Sequence, residues 1–90
     1  MAQIYRHKKF LKDFRNTRLT DEQFTRLARA ITCFAKEEPL PQEFLDHSLS
    51  GSLGEYREFH LGGDMLVLYK RIEQQIVLAR LGTHSQLFGE

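Results

Sequence analysis

The sequence predicts a single α+β domain in which a strand and two helices precede three strands, and three observations predict it. Ninety residues hold one modest core and no second domain. Between residues 10 and 35 apolar side chains recur twice at three- and four-residue spacing, as helices that cover a sheet require. After residue 55 the pattern changes to alternation, interrupted at Gly62-Gly63-Asp64, which is the signature of strands joined by tight turns.

Taken in order, Gln3 to Arg6 carries Ile4 and Tyr5 and suits an opening strand. From Lys8 to about Arg15, Phe10, Leu11 and Phe14 share one helical face, with Lys9 and Lys12 turned elsewhere. Thr20 and Gln23 form a reciprocal capping pair, and Leu19 and Phe24 stand at the staple positions around it, so a second helix starts there. Its stripe of Phe24, Leu27, Ala28, Ile31, Phe34 and Ala35 runs on until Pro39 stops it. Gln42 to Gly54, rich in Ser and Gly, reads as a loop. Glu55 to Leu61 then places Tyr56, Glu58 and His60 on one side of a strand and Arg57, Phe59 and Leu61 on the other. Met65 to Ile72 and Ile76 to Leu81 make two more strands, turning around Glu73 to Gln75. Three strands so joined pair as an antiparallel meander, both helices bury their stripes on one face, and the other face is left for binding. Thr83 and Gln86 repeat the capping pair, so His84 opens a brief C-terminal helical turn, where the helix dipole favours a phosphate.

Composition narrows the function. The hydrophobic share of 41% and charged share of 28% are those of a globular chain. Cys33 is the only cysteine, which excludes an internal disulfide and points to the cytoplasm. No apolar run approaches a membrane span, and the basic, aromatic-studded N-terminus lacks a signal-peptide core. The formal net charge of +1 is unevenly placed: residues 1–18 have six basic side chains against Asp13, a formal +5, leaving −4 for the rest. Such an end suits a polyanion, although a solvated helix face would carry the same charges.

Of four histidines, at 7, 47, 60 and 84, three lie in the C-terminal half with Asp64, Arg57 and Arg80. Taken singly, a strand histidine, a turn aspartate and an edge arginine are ordinary structural residues. Together they supply what RNA cleavage needs: a base for the 2′-hydroxyl, an acid for the leaving 5′-oxygen, and positive charge on the phosphorane. Metal-type spacings are missing, with no His-x-His, no helical His pair and no Cys pair, so no metal or other cofactor is expected. A serine hydrolase is excluded by the lack of a Gly-x-Ser-x-Gly elbow.

Four stretches carry a resemblance. Asp46-His47-Ser48-Leu49-Ser50-Gly51, Tyr56-Arg57-Glu58-Phe59-His60, Asp64-Met65-Leu66-Val67-Leu68-Tyr69 and Arg80-Leu81-Gly82-Thr83-His84-Ser85-Gln86-Leu87-Phe88-Gly89 resemble, in the same order, the motifs of the YafQ-type toxins of the RelE/ParE superfamily. The resemblance implies a RelE-like fold, ribosome-dependent cleavage of translated mRNA, no cofactor, and an antitoxin partner, itself DNA-binding. By matching positions it assigns active-site roles to His47, His60, Asp64, Arg80, His84 and Phe88. The roles expected are His84 as general acid, Asp64 or His60 as base, Arg80 on the phosphate, His47 positioning it, and Phe88 stacking on a base. Arg57 joins the substrate contacts, and Lys8, Lys9 and Lys12 grip ribosomal RNA backbone. Met65 departs from the pattern, since relatives can carry Trp after the aspartate, which puts substrate preference in doubt. Two rival functions share this shape: a ParE-like toxin that binds DNA gyrase without chemistry, and an RNA-binding module for which His84 would not matter.

Overall fold

The structure is a computed structural model that describes residues 1–89. Its five strands are β1 (Gln3–Arg6), β2 (His47–Ser48), β3 (Arg57–Gly62), β4 (Met65–Ile72) and β5 (Gln75–Thr83), and its helices are α1 (Lys8–Asn16), α2 (Asp21–Ala35) and α3 (His84–Phe88). The sheet order is β1-β5-β4-β3-β2. β3, β4 and β5 form the expected meander, β2 adds an antiparallel edge on β3, and β1 pairs in parallel with β5.

Packing follows from the alternation. Phe59, Leu61, Val67, Tyr69, Ile76, Leu78 and Leu81 point to one face, where Phe10 of α1 and Leu27, Ala30 and Phe34 of α2 cover them. Phe34 packs on Tyr69 at 4.8 Å and on Phe59 at 5.9 Å between ring centroids, and burying each ring stabilises the fold by roughly 2–3 kcal/mol. The α2 stripe is rotated from the expected one. Its buried line is Leu27, Ala30 and Phe34, whereas Phe24 is 56% exposed and flanks a groove against α1. Arg26 explains the rotation: its guanidinium lies 5.0 Å over the buried Phe44 ring and donates to the Glu43 carbonyl, so α2 turns that side inward.

The segment expected as a plain loop has structure of its own. Two 3-10 turns, Gln42–Phe44 and Gly51–Leu53, flank β2. A two-residue strand offers no period to read, which is why the sequence leaves it unmarked.

The second face of the sheet is not bare. Leu66, Leu68 and Ala79 are buried there, because α3 folds back over the strands. Gly82 allows this approach, since a Cβ at that position would stand 3.0 Å from Gln86 Oε1 and 3.2 Å from Leu87 Cδ2. A bulge in β5 completes the arrangement. Leu68 pairs with Arg80 and Tyr69 with Leu78, so Ala79 is the extra residue. Without it the parity that buries Ile76 and Leu78 would send Arg80 into the core; with it Arg80 is turned outward and Leu81 inward.

Candidate active site

Sheet register brings the site together. His47 on β2 pairs with Glu58 on β3, and alternation sets His60 beside Glu58 on the same face. The result is a three-group cluster. Glu58 Oε2 lies 3.2 Å from His47 Nε2 and 3.5 Å from His60 Nε2, with the carboxylate almost wholly buried between the rings. His47 Nδ1 is 2.7 Å from the Leu45 carbonyl, which only an Nδ1–H can satisfy. With that proton committed, the Nε2 to Oε2 contact is a hydrogen bond only when a second proton resides on the ring or on the carboxyl.

Leu45 aims its carbonyl by adopting a left-handed conformation, φ 52°, which a leucine reaches only at a cost. The surroundings enforce it. Asp46 accepts hydrogen bonds from Arg57 Nε at 3.0 Å and from the Tyr69 hydroxyl at 2.7 Å, and Arg57 also donates to Ser48 Oγ at 2.8 Å. These bonds pin the segment bearing His47 onto β3 and β4. Burial, together with the hydrogen bond and charge of Asp46, pushes the Tyr69 phenol up to about 12 against the opposing influence of Arg57.

On the other side of the cleft, α3 begins with the capping pair expected: the Thr83 hydroxyl accepts from Gln86 N–H and the Gln86 side chain from Thr83 N–H. His84 and Phe88 then lie one turn apart, ring centroids 4.8 Å from each other. His47, Glu58, His84 and Phe88, with Leu49, Ser50 and Leu53, line one open cleft of about 400 Å³. A second concavity, sharing Leu53 and Phe88 with the first, reaches Arg80. Arg80 is gripped by Asp13 of α1, Nε to Oδ2 at 2.7 Å and Nη2 to Oδ1 at 3.2 Å. The same carboxylate accepts the Leu81 N–H at 2.9 Å, covering the edge of β5 beyond the end of β1. Burial would raise the Asp13 pKa, but the hydrogen bonds from Arg80 and Leu81 and the charges of Arg80 and Lys12 hold it below the ordinary carboxylate value.

The structure sorts the expected residues. His47, His84 and Phe88 line one cleft, His60 is joined to it through Glu58, and Arg80 lines the neighbouring concavity. Lys9 and Lys12 stand beside Arg80, while Lys8, a hundred degrees round the helix, is exposed and outside that lining. Two expected residues lie outside the cluster. Asp64 is exposed in the β3–β4 turn and contributes nothing to the cluster, because the turn carries it past the strand end; the carboxylate there is Glu58. Arg57 has opposite parity to Glu58 and His60, and its guanidinium is held by Asp46 and Ser48, which ties it to the β2 segment. Glu58 was within reach of the alternation, which already put it on the side of His60. His47, Glu58 and His60 each offer one ligand atom, all within 4.8 Å of one another, an assembly made by strand pairing that no local spacing reveals.

Fold and cleft together define a class: a small α+β protein of RelE-like architecture with an imidazole–carboxylate cluster on the outer face of its sheet. The chain belongs to the YafQ family, bacterial toxins of type II toxin-antitoxin systems, whose family model matches residues 2–89. It is similar to the mRNA interferase toxin YafQ of Escherichia coli K12, 41% identical over 51 residues, a stretch spanning 57% of this chain and 55% of that relative. To the mRNA interferase toxin YafQ of E. coli strain B / BL21-DE3 it is 31% identical over 81 residues, 89% of this chain and 88% of the relative. Among solved structures it resembles a copper-bound mutant toxin from Helicobacter pylori, with a TM-score of 0.85 and 34% identity over 98% of this chain and 100% of that one. It also resembles YafQ in the E. coli DinJ-YafQ complex, with a TM-score of 0.83 and 30% identity over 99% and 100% of the two chains.

Proposed function

We propose that this chain is an endoribonuclease toxin that cleaves mRNA on the ribosome by acid-base catalysis without a metal ion. The observation that carries the reading is the cleft in which His47, Glu58, His84 and Phe88 converge, with His60 joined to Glu58. Glu58, buffered by the two imidazoles, takes the 2′-hydroxyl proton. The freed oxygen attacks the adjacent phosphorus, His84 gives its proton to the departing 5′-oxygen, and a 2′,3′-cyclic phosphate remains. Arg80, fixed in direction by Asp13, supplies positive charge as the phosphorane forms. A gyrase-binding role would leave this proton-sharing cluster without a purpose.

His84→Ala tests the reading. Cleavage of translated message should fall by about 10²-fold or more, the usual scale of a lost general acid, with the melting temperature of the exposed-site variant unchanged. Undiminished cleavage with cyclic phosphate ends would remove His84 from the mechanism, and linear phosphate ends would remove 2′-hydroxyl attack.

The structural likeness to YafQ in a complex with DinJ supports an antitoxin as partner. The surface offered for it is the groove between α1 and α2, apolar with Phe14 and Phe24 exposed and Arg6 at its margin, which suits an acidic amphipathic helix. A second occupant of the catalytic cluster is favoured by its ligand geometry and by the copper-bound relative. His47, Glu58 and His60 would hold a Cu(II) or Zn(II) ion as two nitrogens and an oxygen, withdrawing the base from catalysis. Copper should then inhibit cleavage and a chelator restore it; stimulation by metal would overturn the metal-free scheme.

A further inference from the structure

Beyond the reacting groups lies the second concavity, about 240 Å³, and nothing in the cleavage scheme accounts for its shape. Its floor is Leu68 and Ala79, buried but apolar, and it is deep because the β5 bulge puts the smallest of side chains there. Two aromatic rings, Tyr56 and Phe88, line it, and Arg80 and Lys9 supply positive charge at its side. Phe88 and Leu53 belong to both hollows, so whatever leaves the catalytic cleft in this direction enters the second one directly.

His7 is the remaining polar group. It caps α1, its Nδ1 accepting the Lys9 N–H at 3.1 Å, while its own N–H is bound to the Leu78 carbonyl at 2.9 Å. An Nδ1 that accepts leaves the ring proton of the neutral form on Nε2, so His7 presents a donor to the concavity. Its backbone is anchored to the sheet and its ring is fixed by the cap.

We propose that this concavity is a nucleotide subsite for the RNA residue next to the scissile bond, in which the base stacks on Tyr56 or Phe88 and His7 Nε2–H donates to an acceptor on that base. The combination is that of single-strand recognition: ring faces for the base, cations for the phosphate, and one directed donor that distinguishes bases by what they offer. The inference rests on the proposed cleavage reading for its substrate class. It makes His7 a specificity-determining residue, and Ala79 the residue whose size admits the base.

The test separates the two readings. Wild-type protein, labelled with ¹⁵N, is titrated with short 2′-O-methyl oligoribonucleotides of differing sequence, which cannot react. Shifts are expected at the amides of Leu68, Ala79 and Arg80 and in the His7 ring; shifts confined to the catalytic cleft would overturn the subsite whether or not the wild type cleaves. His7→Asn keeps an oxygen to accept the Lys9 N–H and preserves the cap, but its shorter amide N–H does not reach the Nε2 position. In mapped cleavage of translated mRNA it should change the base preferred beside the cut and raise KM about fivefold, with kcat nearly unchanged. Ala79→Leu should raise KM about tenfold by filling the floor. Wild-type base preference and KM in His7→Asn would overturn the proposal even if Ala79→Leu fails to fold. Loss of all cleavage by wild type, with oligonucleotide shifts still at Ala79, would sink the catalytic reading and leave the subsite standing.

Discussion

Glu58 and Arg80 occupy one row across the sheet, joined through Leu68, and a carboxylate governs each end of that row. At one end Asp13 grips the Arg80 guanidinium in a two-point contact with both charges permanent near neutrality. At the other Glu58 lies between two imidazoles, 3.2 Å from His47 Nε2 and 3.5 Å from His60 Nε2. The same acid function thus serves opposite ends: Asp13 fixes a charge in space, and Glu58 is set against two groups that can exchange protons. What decides is the partner, because a guanidinium does not give up its proton and an imidazole does.

The comparison can be broken most sharply at Glu58. Glu58→Gln keeps the shape and the contacts but no longer accepts a proton, so cleavage should fall about 10²-fold with the fold intact. A variant cleaving at more than a tenth of the wild-type rate would move the base to His60. Arg80→Lys keeps the charge and loses the fork, so cleavage should fall about tenfold as the cation swings free of Asp13, measured as single-turnover rate on programmed ribosomes.

Asp13→Asn should cost about 2 kcal/mol of stability by weakening the Arg80 clamp and the cover on Leu81 N–H, as read by urea unfolding. Its pH dependence sharpens the contrast. Because the folded pKa of Asp13 is depressed, the wild type keeps this stability above the ordinary carboxylate value near 3.8 and loses it as pH falls below; the variant should be flatter over that acid range. An unchanged acid limb would show that Asp13 is not held as an anion.

The smallest effect is expected at Tyr69→Phe, about 1 kcal/mol at neutral pH from the lost bond to Asp46. Here the sign reverses. A phenol raised to about 12 contributes stability fully present below pH 10 and lost as pH rises toward 12, so the wild type should weaken over that alkaline span and the variant should not. The variant should also cleave more slowly, because His47 is no longer pinned as tightly through Asp46.

Much of this was legible from the chain. Capping pairs at Thr20–Gln23 and Thr83–Gln86 mark helix starts because they involve residues three apart, and both are realised. Alternation placed Glu58 and His60 on one face, since that depends only on neighbouring residues. The matched words of the YafQ pattern singled out His47, His60, Arg80 and His84, of which the first two meet at Glu58. Glu58, and not Asp64, joins the histidines for a physical reason: a turn aspartate and a strand glutamate look alike in composition, and only the pairing of His47 with Glu58 decides which one reaches an imidazole.

Fold class, helix starts and the faces of the residues from Tyr56 to Leu61 were determined by the sequence alone, because spacing of a few residues sets them. Tertiary structure decided the rest: the two-residue strand carrying His47, the bulge that turns Arg80 outward, the clamp from Asp13 sixty-seven residues away, and the Glu58 cluster. Each of these is a meeting between segments distant in the chain, and such meetings follow from register and packing, which no local pattern contains.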